Sequence, residues 1–571
     1  MGGEVLPIRD IVREPAAGKS TYHKTIMGEA ARGISRSHIG NSSTGPLTST
    51  SLLRRQLHCF GTLIFFVISA SGQAYNTVYH IGQGVTMDSV QFDNKTFVCR
   101  KCVGKSQTAQ SIRLSVRNDI VEVLSVGIEN IVTGYEIRHG EIAYYGKTTV
   151  KLLYSDGLSI QSANFGSDFT SSMSVDSVGA NDKLVFDVTT ADSKTEIDAN
   201  TATVSVLLEI VAYAFVSESV DFVTGGDDVF VKNEQIEATT AVNVANIPFV
   251  VDREFATTKN IGTVLLADSS LVATDYTVGD GVLTLSGNGV GRLTYLSDGA
   301  IVTDVFPFSW TRELDASGIA ADSQPFFRTT VRATRVRLDI SDDGDNTAFS
   351  MEVQATLSVE ASQIEALSVV TDLYSADCDF TLGRQAVQTT LPCGSASVAK
   401  SCTFGVDEDA IAVVNVGATV TDVLSEDKRA TVKGYITATL LYKGEGGIKG
   451  VTKELPFAEI VEVDYLGNEC SCRGNVTVGE VALSRGELTA QLWISLSCSR
   501  NVGYNLITSV EEQPFDKAAR PAIEVCIAKK GDTLWNLAKN LHMSEEDLVA
   551  TNPTLTTPLE EDTRVVIFNK I

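Results

Sequence analysis

The chain has 571 residues, of which 43% are hydrophobic, and its formal net charge is −25 at pH 7. Because this length exceeds what one hydrophobic core supports, roughly three to five domains are expected. The acidic balance argues against nucleic acid and anionic lipid as partners, since both are bound through clustered Lys and Arg, and it favours a basic protein surface.

Residues 1–86 differ from the rest of the chain. Their eight Lys and Arg against four Asp and Glu give +4, so the remaining residues carry −29. They show no sustained strand or helix period. The apolar run Leu57–Ala70 follows Arg54 and Arg55, as in a signal peptide, yet about fifty polar residues precede it and it is short for a membrane span. We expect a mis-assigned start or a disordered extension, with an export signal or anchor as the alternative.

The ten cysteines are too few for a disulfide framework in a chain of this length. Cys99 and Cys102 form a CxxC spacing with no second pair, and Cys470 and Cys472 alternate along a predicted strand. We therefore expect free thiols in a reducing compartment, with a metal or redox site as the alternative.

Residues 115–515 alternate apolar and polar side chains in short runs broken by Gly, Asn and Asp, which predicts half-buried strands. Three of these runs share a Gly, seven further residues and a Tyr, and each is followed by a turn: Gly146–Tyr154, Gly287–Tyr295 and Gly434–Tyr442. We expect the Gly to allow close backbone approach and the Tyr to pack its ring with the hydroxyl at the rim.

A second feature accompanies the repeat. Downstream of the Tyr, "FPFSW" (Phe306–Trp310) and "LPFAE" (Leu455–Glu459) are expected to coincide, whereas the first copy has only "NFGSDF". Each copy then closes with another alternating strand. The pattern predicts three tandem β-rich domains of roughly 100 to 140 residues each.

The last fifty residues predict a compact βααβ module. A strand Glu524–Lys529 leads to Asp532 and Thr533, which are good N-cap residues for a helix. Ser544 can cap a second helix, which Asn552–Pro553 ends. Thr563–Phe568 is the closing strand. The side chains expected to face inward are Leu534, Leu537, Ala538, Leu541, Leu548 and Val549.

These sequence patterns resemble two known domain families. The "I-x-x-V-L-x-V" opening, the Gly-x7-Tyr strand and the "PF" strand resemble the SPOCS domain associated with spore coats, in three copies over about residues 115–515. "KKGDTLWNLA" and the "NP" after the second helix resemble a LysM domain. That resemblance implies a shallow groove for N-acetylglucosamine-containing glycans or for a protein partner, formed by Gly531, Asp532, Thr533, Leu534, Asn552, Pro553, Thr554 and Leu555.

Catalysis is not expected. Beyond residue 86 only His139 and His542 remain, which disfavours Ser-His-Asp and Cys-His catalysis and a histidine-rich metal site. We expect a non-enzyme with no catalytic residue, no metal ligand and no cofactor.

The predicted fold class is mainly β, with three SPOCS-like domains followed by LysM. The expected boundaries are 1–86 for the atypical segment, 87–225, 226–375 and 376–515 for the repeats, 516–523 for a linker and 524–571 for LysM.

The combination resembles a family of LysM-containing spore-coat adaptors of clostridial spores. The resemblance implies a structural role in the mother-cell cytoplasm at the forespore surface, docking on a coat morphogenetic ATPase of the SpoIVA type and contacting membrane only indirectly. The alternative is an extracytoplasmic protein that binds peptidoglycan.

Overall fold

The structure is a computed structural model, and its chain divides into two compact units, Met1–Thr86 and Met87–Ile571. The residues that it describes are 62–68, 74–80, 90–176, 178–279, 281–316, 319, 323–339, 346–444, 447–464, 466–515 and 520–568.

The first unit contains an antiparallel pair of strands, β1 (Thr62–Ile68) and β2 (Ala74–His80). β1 lies within the apolar run Leu57–Ala70, whose remaining residues are outside the described part, as are 1–61 altogether. Periodicity did not reveal β1 because "TLIFFVI" is almost continuously apolar and does not alternate.

The second unit begins with eighteen strands in three successive sets of six. The first set is β3 (Val90–Ser115), β4 (Glu122–Arg138), β5 (Glu141–Ser155), β6 (Ile160–Ser174), β7 (Lys183–Asp198) and β8 (Thr201–Gly226). The second is β9 (Val229–Ala256), β10 (Thr263–Gly279), β11 (Val282–Ser297), β12 (Ala300–Asp315), β13 (Gln324–Asp339) and β14 (Ala348–Ser375). The third is β15 (Cys378–Gly405), β16 (Ala410–Glu426), β17 (Arg429–Gly444), β18 (Gly447–Glu462), β19 (Ser471–Ser484) and β20 (Glu487–Pro514).

Each set forms two antiparallel three-stranded sheets. The second, third and fourth strands make a meander, and the last strand lies between the first and the fifth, as in β3-β8-β7. In each set one hydrophobic core contains residues of both sheets, including Leu152 and Leu208 in the first. The boundaries 87–225, 226–375 and 376–515 stay a prediction as limits of independently folding domains.

The glycine of the Gly-x7-Tyr strand lies opposite an aromatic ring in all three sets. Gly146 is paired with Phe169, Gly287 with Trp310 and Gly434 with Phe457. Each glycine is also tight against a carbonyl oxygen of the preceding strand, so only a residue without Cβ fits.

The expected coincidence of the two "PF" segments was wrong by two residues. Pro307 is paired with Val290, three residues after Gly287, whereas Pro456 is paired with Tyr435, one residue after its glycine. The aromatic ring opposite the glycine fixes the register, and the first copy supplies it as Phe169.

The first and last strands of each set extend beyond the fifth strand as a two-stranded ribbon. The three ribbons are 90–99 with 216–226, 229–241 with 363–375, and 378–391 with 500–514. They pack against one another around a shared apolar core, which joins all three sets: Phe97, Val220, Phe222, Ile236, Ala238, Leu367, Val369, Val387 and Leu506. The sets are therefore joined by hydrophobic burial as well as by chain connection.

The chain ends with β21 (Ile523–Ala528), α1 (Leu534–Leu541), α2 (Glu545–Thr551) and β22 (Thr563–Phe568). β21 and β22 pair antiparallel, with Glu524 opposite Ile567. The predicted fold class, mainly β with a small C-terminal βααβ module, is confirmed. No helix in the described part of the chain is long and apolar enough to span a bilayer.

The expectation of free thiols was wrong for four cysteines, all in the third set. Cys393 is bonded to Cys470, and Cys472 to Cys498. Cys472 and Cys498 are direct cross-strand neighbours, a long-range proximity that spacing in the sequence does not reveal. Cys99 and Cys102 carry free thiols, the first buried and the second exposed.

We expect Gly434→Ala to lower the free energy of unfolding by about 1–3 kcal/mol, because the new Cβ would collide with the Thr419 carbonyl oxygen and the Phe457 ring. Denaturant unfolding of the full chain measures the change. Gly417→Ala is the matched control in the same sheet, since no atom lies within 4 Å of its added Cβ. Equal stability of the two variants would contradict the assigned register.

Candidate functional site

The candidate site lies in the C-terminal module, where two loops adjoin its helices. The first loop precedes α1. Gly531 has φ +92° and donates its N–H to the Leu559 carbonyl at 2.8 Å, and Leu559 in turn donates to the Asp532 carbonyl at 3.0 Å. Thr533 is the N-cap of α1, where its hydroxyl accepts from the Asn536 N–H at 3.2 Å. Of the two predicted N-cap candidates, Asp532 and Thr533, the cap is therefore Thr533.

Asp532 has a different role from capping. Its carboxylate accepts the backbone N–H of Lys529 at 2.7 Å and closes the turn between β21 and α1. Nearby, Asp562 accepts from the Lys529 ammonium at 2.8 Å and from the Lys530 N–H at 3.1 Å. These hydrogen bonds lower the pKa of Asp562.

The second loop is held by Asn552. Its side-chain N–H groups donate to the carbonyls of Leu548, at 3.0 Å, and Val566, at 2.8 Å. Its side-chain oxygen accepts from the Val566 N–H at 2.8 Å. Asn552 therefore ties α2 to β22, so its amide acts within the module. Leu555, 9% exposed, belongs to the module's core.

The eight predicted groove residues differ in their exposure. Four are exposed, namely Gly531, Thr533, Pro553 and Thr554, while Asp532, Leu534 and Asn552 are half-buried. Leu559, which the sequence did not single out, links to both Gly531 and Asp532 through its backbone. The sequence does not predict this role of Leu559, because backbone hydrogen bonds do not depend on the type of side chain.

The helices largely pack as predicted, with one correction. Leu537, Ala538, Leu541 and Leu548 are buried, and the Ser544 hydroxyl accepts from the Asp547 N–H at 2.9 Å. Val549, expected to face inward, is 37% exposed. Leu548 is the buried residue of α2, and the residue after it projects about 100° further around the helix, towards solvent.

A face of α1 contacts the end of the second ribbon. The Trp535 indole N–H donates to one carboxylate oxygen of Asp372 at 2.7 Å, and the Lys539 ammonium donates to the other at 2.5 Å. Burial would raise the pKa of Asp372, but the hydrogen bonds from Lys539 and Trp535 outweigh it and lower the pKa. Asp372 therefore stays ionised at neutral pH and binds both donors.

Tyr374 completes this contact and joins the core of the module. Its ring packs edge-on against Trp535 at 4.9 Å and is stacked on Phe230 at 4.8 Å. Its hydroxyl donates to the Met543 carbonyl at 3.0 Å. Burial, with Glu545 adding to it, raises the pKa of Tyr374 to about 12, so the hydroxyl remains a donor.

The segment before β21 and the end of α1 add further contacts. His542 stacks on Phe515 with ring centres 4.0 Å apart and lies 3.4 Å from the Asp379 carboxylate. Arg520, in the predicted linker, donates to the Leu541 carbonyl at 2.6 Å. The module is thus held against the ribbons at several points.

We expect Asn552→Ala to destabilise the C-terminal module by about 1–3 kcal/mol, because it leaves the N–H and the carbonyl of the half-buried Val566 without their side-chain partner. Hydrogen exchange of β22 in the full chain measures the loss. Thr554→Ala, in the same loop but exposed, is the control and should leave exchange unchanged. Unaltered exchange in the Asn552 variant would contradict its structural role.

Comparison with known proteins gives one family. Residues 526–567 match the LysM domain, which supports binding of peptidoglycan or another N-acetylglucosamine-containing glycan. No curated protein and no solved structure matches the chain. The C-terminal module of this protein is therefore a LysM domain.

Proposed function

We propose that this chain is a non-enzymatic structural protein of the bacterial spore or cell envelope, whose LysM groove binds N-acetylglucosamine-containing glycan. The observation that carries the proposal is the LysM match over 526–567, together with the exposure of Gly531, Thr533, Pro553 and Thr554 in its two loops.

The exposed groups suit a sugar chemically. A glycan ligand offers hydroxyl and acetamido groups, which hydrogen-bond to backbone amides and small hydroxyls, and apolar ring faces, which pack on aliphatic carbon. The Thr533 and Thr554 side chains supply hydroxyls and Pro553 supplies an apolar surface. The half-buried Leu534, which packs against the core of the module, supplies further apolar surface.

The spore-coat adaptor is the finer form of the proposal. It rests on the resemblance of the repeats to SPOCS domains. In this form the joined β sets act as a scaffold, and LysM docks on a coat morphogenetic ATPase of the SpoIVA type. The protein would then lie in the mother-cell cytoplasm at the forespore surface and bind without catalysis.

A specific observation favours a second candidate, an extracytoplasmic protein that binds the wall. The bonds Cys393–Cys470 and Cys472–Cys498 are of a kind that persists in oxidising compartments and is rare in a reducing cytosol. This supports export over residence in the mother-cell cytoplasm.

We expect the full-length protein to bind purified sacculi and N-acetylglucosamine oligomers saturably. Thr554→Arg places a bulky cation in the exposed second loop, where it would block a shallow site. Binding to both ligands should weaken by roughly tenfold or more, which corresponds to a loss of at least about 1.4 kcal/mol. Calorimetry and sedimentation with sacculi measure the affinities.

Asn540→Arg, on an exposed position of α1, is the matched control and should bind as the unaltered protein does. Absence of binding to both sacculi and oligomers would overturn the glycan proposal. If, in the same assay, a purified coat morphogenetic ATPase were retained instead, the adaptor with a protein ligand would take its place.

The second candidate predicts the redox state of the protein in cells. Acid quenching followed by thiol labelling and mass spectrometry should find Cys393, Cys470, Cys472 and Cys498 protected and Cys102 labelled. Cys102, exposed and free, is the internal control for labelling. Complete labelling of all four cysteines would count against export and for a reducing compartment.

A further inference from the structure

The first turn of α1 belongs both to the groove and to the contact with the β body, by which we mean the three strand sets β3–β20. Thr533 and Leu534 are groove residues, and the next residue, Trp535, is bound to Asp372. Three consecutive residues thus link the ligand-facing loop to the second ribbon. Asp372 is thus connected to Thr533 and Leu534 through the side chain of Trp535 and the first turn of the helix.

Asp372 is suited to hold that turn. Its two carboxylate oxygens bind two different donors, one in the first turn of α1 and one in the second, at Trp535 and Lys539. Residues at this spacing lie on the same face of a helix. The side chain of Asp372 is 25% exposed and that of Lys539 is 36% exposed, so water weakens the pair only in part.

Tyr374 adds contacts near both ends of α1. Its ring packs against Trp535, while its hydroxyl reaches the Met543 carbonyl beyond the other end of the helix. Phe230 is paired with Tyr374 across the ribbon and supports its ring. Side chains of the ribbon thus contact both turns of α1 and the segment just after it.

We propose that Asp372 is a positioning residue for the LysM groove, which by holding Trp535 fixes Thr533 and Leu534 in the arrangement that receives the glycan. The inference rests on the proposed glycan-binding function. Loop and side-chain ordering on binding costs free energy, so a loop that is ordered in advance binds more tightly.

The test compares Asp372→Ala and Asp372→Asn with the unaltered full-length protein. Asp372→Asn keeps the volume and an acceptor for the indole but loses the charge opposite Lys539. Asp379→Asn is the matched control, because the contact of Asp379 with His542 is at the C-cap of α1, away from its first turn. Hydrogen exchange is followed at the Asn536 and Leu537 amides, which donate to Thr533.

We expect faster exchange at these amides in Asp372→Ala, an intermediate rate in Asp372→Asn and no change in Asp379→Asn. Affinity for N-acetylglucosamine oligomers should fall roughly two- to tenfold in Asp372→Ala, the range expected when one side chain loses its prior order. A change in tryptophan fluorescence would report loss of the contact, because Trp310 and Trp493 are buried within strands of the β sets, where no change is expected.

Each readout has an opposing outcome. Unchanged exchange in Asp372→Ala overturns the positioning role, whether or not the protein binds glycan. Unchanged affinity in a protein that does bind oligomers overturns it as well. If the unaltered protein binds no oligomer while exchange still responds to Asp372, the positioning of the turn stands and the glycan function fails.

Discussion

Asp187 is the residue at which charges from all three β sets meet. Lying in the first set, it accepts two hydrogen bonds from Arg473 of the third, at 2.5 and 2.9 Å, and one from Arg328 of the second, at 2.6 Å. Arg473 also binds Glu360 of the second set at 2.7 Å. Burial would raise the pKa of Asp187, but the two guanidinium groups outweigh it and lower the pKa, so the carboxylate is ionised. Removing one member would leave the others as poorly compensated charges, which typically costs about 3–5 kcal/mol at buried sites. These ion pairs join the three sets in addition to the apolar core that their ribbons share.

The position of the LysM domain depends on that arrangement. Its anchor residues Asp372 and Tyr374 lie near the end of β14, in a ribbon that is held by the apolar core shared with the other two sets. A ribbon of two strands alone is marginally stable in water, so its end would offer no fixed surface. Packing of the three ribbons supplies that surface. Tyr374 is itself part of the LysM core, so the domain packs directly on the β body instead of being attached only through a flexible linker.

Local features of the fold could be predicted from the sequence, and long-range contacts could not. Alternation revealed the strands, and the capping residues Thr533 and Ser544 revealed where the LysM helices begin. The "PF" alignment failed because proline does not fix register, whereas the ring opposite Gly434 does. Asn552 was expected in the groove from the LysM pattern, yet its amide is used within the module. Trp535 and Asp372 are 163 residues apart, so no spacing rule connects them.

The division of roles among the groove residues bears on the ligand. Leu555 and the Asn552 amide serve the core and the strand, which leaves few groups free to contact a sugar. A site with so few contacts binds one repeating unit weakly, and useful affinity then requires either a polymeric ligand or several linked sites. Under the proposed function, peptidoglycan would supply the first, and an array of the protein in an envelope layer would supply the second. In both cases a domain held in fixed orientation loses less entropy on binding than a freely tethered one. The rigid contact at Asp372 is therefore most useful when the ligand is a surface with many equivalent sites.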